Sequence, residues 1–382
     1  MVRFLHTADW QLGMTRHFLN GEAQHRFTQA RIDAIRRIGQ IAREREARFA
    51  VVSGDVFESN LLSPQVVTRS LQAMSEARVD FYLLPGNHDP LDAASIYRQK
   101  VFVDHQPENV HVLTDTAPFE VEPHCELMGA PWPNKTPLAD LVGSALRDLP
   151  PVVGGVRIML GHGAVDVDAP DKEKPAIIRF SDIQAALKDG RLHYLALGDH
   201  HSSRPVGGIA SVRYSGTPEP TDYDEVRPGF VLSVDLTPEA CKVEEVPVAQ
   251  WRFVRERFDL AGDSDLERVD AFFRGLSSKE TTVVKLGFQG ALSLAGHARL
   301  ASILEEEGQL LAALQRWERG SDLVVRPTPE DLESLQLTGY ARRAMEELQT
   351  LAASGEDKDG TVADAMALLY RLALADRRQE GA

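Results

Sequence analysis

The chain has 382 residues, 43% hydrophobic and 26% charged, enough for a large core and a smaller second unit, and a formal net charge of −15. That acidity argues against gripping nucleic acid with the surface as a whole, because phosphate neutralisation by basic groups supplies such affinity; a DNA enzyme of this charge needs a local basic patch or a partner. No apolar run approaches the roughly 20 residues that span a bilayer, the first five residues are too short for a signal peptide, and two cysteines, Cys125 and Cys241, make no disulfide framework or cysteine-rich zinc site, so a reducing cytoplasm is expected.

Residues 2–5 form an apolar run, predicted as a strand, that ends at His6-Thr7-Ala8-Asp9. Residues 24–45 are predicted as a helix, with Ile32, Ile35, Ile38 and Ile41 spaced by three along one face. A buried-type strand at 49–53 runs into Gly54-Asp55, and Pro64 opens a helix carrying Val67, Leu71 and Met74. A further strand at 79–84 ends at Pro85-Gly86-Asn87-His88. Such alternation predicts an α/β layered domain with ligands at the carboxyl ends of its strands.

From residue 109 strands dominate, at 110–113, 126–129, 156–160, 193–197, 209–214, 230–234 and 242–246, with brief helices around 138–146 and 183–187. They predict a second sheet packed on the first, giving a two-sheet sandwich flanked by helices. Residues 252–258, 266–276, 281–287, 298–307 and 322–325 then read as strand, helix, strand, helix, strand, a small α+β module. Two helical segments follow at 330–353 and 361–375, around a polar loop at 354–360. The expected organisation is a catalytic domain at 1–250, an α+β capping domain at 251–327 and a C-terminal helical region at 328–382.

Five segments, each directly after a predicted strand, gather carboxylate, amide and imidazole groups. They are Asp9-Trp10-Gln11, Gly54-Asp55, Gly86-Asn87-His88-Asp89, Gly161-His162 and Gly198-Asp199-His200-His201. Asp-x-Gln, a single Gly-Asp or a single Gly-His occurs by chance, and Gly-Asn-His-Asp after a strand says more; the ordered set carries the signal. Strand ends lying side by side can bring such groups to one point, as a pair of divalent cations requires. Two cations roughly 3.5–4 Å apart can activate a water and stabilise both oxygens of a phosphate-ester displacement. Mixed oxygen and imidazole donors favour Mn²⁺, with Mg²⁺ and Fe²⁺ as alternatives.

The segment Leu5-His6-Thr7-Ala8-Asp9-Trp10-Gln11-Leu12-Gly13 resembles the opening of SbcD-type DNA repair exonucleases, within the calcineurin-like metallophosphoesterases. Ser53-Gly54-Asp55-Val56-Phe57, Leu84-Pro85-Gly86-Asn87-His88-Asp89 and Leu195-Ala196-Leu197-Gly198 resemble later blocks of that family in the same order. Tyr214-Ser215-Gly216-Thr217-Pro218 and Pro228-Gly229-Phe230-Val231-Leu232 resemble its post-catalytic region. The resemblance implies that Asp55 bridges two metals. Asp9, Gln11 and His201 would complete the first metal's shell, and Asn87, His162 and Asp199 the second's. His88 would face the scissile phosphate, protonating the leaving oxygen or stabilising phosphoryl charge, with Glu58 orienting its imidazole. Gln11 stands where the family usually has histidine, and Asp199 where it has the first histidine of Gly-His-x-His. An amide oxygen is a poorer donor than imidazole and a carboxylate a harder, charged one, so unequal metal affinities are expected. Either His200 or His201 could face the metals. The Gly-x-x-His register favours His201 and leaves His200 to contact phosphate. Arg16, with Arg98 and Lys100, would favour DNA if the three converge.

The resemblance implies a metal-dependent DNA exonuclease, or endonuclease, in DNA end processing and repair. A small-molecule phosphodiesterase or phosphomonoesterase fits the acidic charge and altered ligands, and a weakly catalytic scaffold for an SMC-like ATPase is the third reading. Leu332, Leu335, Leu337, Ala344, Leu348 and Leu351 give one C-terminal apolar face, and Ala365, Leu368, Leu369 and Leu372 another. These faces either pack on their own domain or, as the resemblance implies, dock an SbcC-type SMC-like ATPase. The resemblance also implies a homodimer through helices of the N-terminal half.

Overall fold

The computed structural model describes residues 1–326 except 170 and 172, then 328, 339–354, and 361–372 except 363, 367 and 371. Two compact units emerge: Met1–His17 with Gln24–Arg252, and Phe18–Ala23 with the described residues from Phe253 onward. The first unit opens with β1 (Val2–Thr7), α1 (Gly21–Glu44), β2 (Phe49–Val52), α2 (Pro64–Ala77), β3 (Asp80–Leu83), α3 (Lys100–His105) and β4 (Val110–Val112). It continues with β5 (Phe119–Glu122), β6 (Cys125–Gly129), α4 (Leu141–Leu146), β7 (Val156–His162), α5 (Phe180–Lys188) and β8 (Tyr194–Gly198). Strands β9 (Arg204–Val206), β10 (Ile209–Tyr214), β11 (Phe230–Leu236) and β12 (Cys241–Pro247) complete it.

These strands make two six-stranded sheets, ordered β12-β11-β1-β2-β3-β4 and β5-β6-β7-β8-β10-β9. β1 to β4 run parallel to one another, as do β6, β7, β8 and β10, so their carboxyl ends share one edge in each sheet. Alternate residues of each strand serve different layers, as the two-residue period of a strand requires. Phe4, Val51, Tyr82, Ile158, Leu160 and Ala196 pack between the sheets. Leu5, Ala50, Val52 and Leu83 face α1 and α2, where all four isoleucines of the predicted helical face are buried. Met128, Met159, Leu195 and Leu197 face α4 and α5. The helices come close enough that a Cβ on Gly39 of α1 would lie 2.4 Å from that of Ala77 on α2.

The sandwich and its flanking helices match the sequence expectation, with one correction. The strands predicted at 110–113, 230–234 and 242–246 do not join the second sheet; β4 extends the first sheet in parallel beside β3, β11 returns antiparallel beside β1, with Leu236 opposite Val2, and β12 follows at the edge. Local periodicity identifies a strand but not its neighbours. β5, β9 and α3 lacked a sequence signal because they are short. β5 has no fully buried residue, and β9 carries Pro205, which an edge tolerates.

The second unit holds β13 (Arg252–Leu260), α6 (Leu266–Gly275), β14 (Thr282–Leu292), α7 (Leu294–Gly308), β15 (Ala313–Arg316), β16 (Asp322–Val325) and α8 (Gly339–Ala353). β14 pairs in parallel with both β15 and β16 and borders β13. The strand β15 was not anticipated. Phe258, Leu260, Leu266, Phe273, Leu286 and Phe288 form the core, and Met345, Met366 and Tyr370 pack with Leu294 and Ala298 of α7. Residues 330–338, with Leu332, Leu335 and Leu337, and most of the predicted loop, 355–360, lie outside the described residues. Among the described residues no helix is long and apolar enough to cross a membrane.

Candidate metal centre

All five chemistry-bearing segments lie at carboxyl ends of parallel strands, three from the first sheet (β1, β2, β3) and two from the second (β7, β8). Hydrogen bonds cross from one sheet to the other: Asp199 N donates to Asp9 Oδ1 at 3.0 Å, and His162 Nδ1 lies 2.9 Å from the Ser53 carbonyl oxygen. Asp9, Gln11, Asp55 and Asp199 all adopt positive φ, at 53°, 44°, 51° and 91°. Left-handed backbone on non-glycine residues is uncommon, and its concentration here marks a place where the fold holds side chains against local preference.

Asp9, Asp55 and His162 are buried, and one ligand atom from each lies within 4.8 Å of the others. His162 must donate from Nδ1 to the Ser53 carbonyl, which turns Nε2 toward the cluster. There Nε2 meets Asn87 Oδ1 at 2.7 Å, Asp55 Oδ1 at 3.4 Å and Asp199 Oδ1 at 3.9 Å. All three are acceptors, so something positive must stand among them, either a second proton on His162 or a cation. Burial opposes charge on His162, yet Asp55, Asp9 and Asp199 raise its pKa well above the ordinary histidine value. Burial pushes Asp9 up to about 7, with His201 and His162 pulling the other way. Burial works to raise Asp55 too, but the charge and hydrogen bond of His162 hold it below its usual range. Gln11 Oε1 is buried without a hydrogen-bond partner while its Nε2 lies 3.3 Å from His201 Nε2. Convergent acceptors, an orphaned amide oxygen and an oxygen-and-imidazole donor set fit divalent cations.

His201 faces Gln11, whereas His200 turns its ring onto Tyr214 at 5.3 Å and accepts from Ser202 N. His88 is half-buried. Its main-chain N donates to Asp55 Oδ1 at 2.9 Å, and its Nδ1 lies 3.0 Å from the Glu58 carbonyl oxygen. Glu58 therefore reaches the imidazole through its main chain, its carboxylate staying 3.9 Å away. Arg16 donates to the Thr221 carbonyl, and Lys100 pairs with Asp104 on the outer side of α3. Asp89 anchors the β3 loop, its Oδ1 accepting from Gly86 N and its Oδ2 from Phe57 N and the Tyr97 hydroxyl.

Three contributors escaped the sequence reading. Ser53 acts through a carbonyl, which no side chain advertises. Trp132 donates to the His162 carbonyl at 2.8 Å. Glu225 lies 2.7 Å from His201 Nδ1 and also binds Thr221, in the stretch between the two family-like segments at 214–218 and 228–232, for which no role was expected.

Residues 2–204 match the calcineurin-like phosphoesterase family. The SbcD component of the nuclease SbcCD of Escherichia coli (strain K12) is 24% identical over 263 residues, 59% of this chain, which thus spans only 62% of that relative. The DNA double-strand break repair protein Mre11 of Haloferax volcanii is 22% identical over 328 residues, covering 82% of this chain and 67% of that protein. Among solved structures, a dimetal phosphatase from Danio rerio aligns with a TM-score of 0.38 and 12% identity, over 63% of this chain and 98% of that one.

Proposed function

The chain belongs to the calcineurin-like phosphoesterases, and from that membership we propose that it is a metal-dependent nuclease hydrolysing phosphodiester bonds in DNA. The observation that carries the reading is the ring of acceptors around His162 Nε2, with the buried Asp9 and Asp55 carboxylates beside it. Asp9, Gln11, Asp55 and His201 would hold one Mn²⁺, and Asp55, Asn87, His162 and Asp199 a second. The bound cations supply activation of a water and neutralisation of phosphoryl charge. His88 adds the proton chemistry. With Nδ1 donating to the Glu58 carbonyl, Nε2, 3.9 Å from Asp55 Oδ2, is the nitrogen left for substrate, and as an imidazolium carrying a second proton there His88 would protonate a leaving oxygen.

DNA as substrate rests on the nucleases and repair proteins to which the chain is similar, and we assign it to DNA end processing on that ground. An SMC-like ATPase partner is assigned on the similarity to the SbcD component of SbcCD, and Tyr340, Leu351, Leu368 and Leu372, large apolar side chains left exposed, would offer it a surface. The net charge of −15 favours a small-molecule phosphodiesterase as the second reading. The test is hydrolysis of end-labelled single- and double-stranded DNA with Mn²⁺, beside bis-p-nitrophenyl phosphate and a His88→Ala variant. Mn²⁺-dependent DNA degradation that drops about 10²–10⁴-fold in the variant is expected. Cleavage of the small ester with DNA intact selects the second reading.

A further inference from the structure

We infer that Glu225 is a positioning residue that fixes the ring of His201 and strengthens its Nε2 as a donor to a divalent cation. Glu225 lies between β10 and β11, in a stretch of chain far in sequence from the five segments. Its side chain is only 7% exposed. One carboxylate oxygen takes the Thr221 hydroxyl and lies 2.7 Å from His201 Nδ1, and the other takes Thr221 N at 2.8 Å. Thr221 Oγ1 itself stands 2.8 Å from the same ring nitrogen. An ionised carboxylate can only accept, so Nδ1 carries the hydrogen and the lone pair is on Nε2. Nε2 lies 3.3 Å from the Gln11 amide nitrogen, a donor, as this tautomer requires.

The two candidate histidine ligands are therefore oriented differently. His162 leans on a neutral carbonyl, that of Ser53, and His201 on an anion. An anionic partner makes the opposite ring nitrogen more basic, and such partners typically affect metal affinity by about 10–100-fold. The charge falls where it is most useful, because Gln11, the neighbour of His201, offers only a neutral amide. Glu225 offsets on one ligand what the amide withholds on the other.

This inference rests on the phosphoesterase reading, since it takes His201 as a ligand. Glu225→Ala removes both the charge and the hydrogen bond, while Glu225→Gln keeps an acceptor and removes the charge. Mn²⁺ titration by calorimetry should resolve two sites in the wild-type chain, with one about 10–100-fold weaker in Glu225→Ala, less weakened in Glu225→Gln, and the other nearly unchanged. In the metal-free chain labelled with ¹⁵N-histidine, His201 should give the Nδ1–H tautomer in the wild type and a mixture in Glu225→Ala. Unchanged affinities in both variants, or an unchanged tautomer, would overturn the assignment. A wild-type chain that binds no Mn²⁺ would instead remove the phosphoesterase reading and the role together. Should Glu225→Ala fail to fold, the Glu225→Gln affinities decide alone.

Discussion

Gly198 ends β8 against the loop that follows β2 in the other sheet, and its substitution by alanine tests whether that closeness matters. An added Cβ would stand 1.9 Å from the Ser53 carbonyl oxygen and 2.9 Å from His162 Nδ1. The Ser53 oxygen is backbone, so the β2 loop would have to retreat by roughly 1 Å, about twice the tolerance of a preorganised site. A misplacement of that size costs about 100-fold in rate, or about 2.7 kcal/mol of transition-state stabilisation, and overpacking removes about 1–3 kcal/mol of stability. Gly129→Ala is the matched control: its Cβ would meet Leu84 Cδ1 at 2.8 Å and Leu113 Cδ1 at 2.9 Å, side chains that can turn aside. Both variants should lose stability in urea unfolding. Only Gly198→Ala should lose Mn²⁺-dependent hydrolysis of bis-p-nitrophenyl phosphate. Wild-type rates in Gly198→Ala, or equal losses in both, would refute the reasoning.

Glu219 supplies a pH prediction away from the candidate ligands. Burial pushes its carboxyl from 4.5 up to about 7, against donation from Gln250 N and Trp251 N and the nearby Arg31 guanidinium. Between those values the unfolded chain has released the proton and the folded one keeps it, so stability falls as pH rises through the window, by about 3 kcal/mol. Metal-free urea melts from pH 4 to 8 should show a shallower decline in Glu219→Gln; parallel curves would contradict the assignment. Tyr97→Phe removes the hydroxyl that donates to buried Asp89 at 2.6 Å and should cost about 1–3 kcal/mol, with catalysis reduced less than tenfold. Unfolding within about 0.5 kcal/mol of the wild type would count against that bond.

Legibility followed the range of the physical signal. The isoleucine face of α1 and the apolar strands announced themselves because periodicity is local, and the glycines and polar groups after β1, β2, β3, β7 and β8 marked the strand ends. Sheet order is not local, which is why β4, β11 and β12 were expected in the wrong sheet. At the site, residue types pointed to the segments that come together. The choice between adjacent His200 and His201 depended on which ring the loop after Gly198 turns inward, and sequence register only leaned toward His201. Glu225 was one acidic residue among 57 aspartates and glutamates, and only a fold that brings it to His201 sets it apart.

The strained backbone and the crossing hydrogen bonds have a common cause. A cluster of buried carboxylates repels itself, so without a cation each must be held by donors from another segment. Asp9 takes the main-chain N of Asp199, and Asp55 takes that of His88. The Thr217 hydroxyl donates to the Asp9 carbonyl, and Gln11 N to that of Asp55. Positive φ at Asp9, Gln11, Asp55 and Asp199 aims these groups inward, at a cost of about 1–3 kcal/mol each that only surrounding contacts can sustain. Every brace joins segments far apart in sequence, and two of them, Asp199 to Asp9 and His162 to Ser53, join the two sheets. The centre thus depends on the sandwich being closed, and a substitution that parts the sheets at this edge should disable it before the chain unfolds.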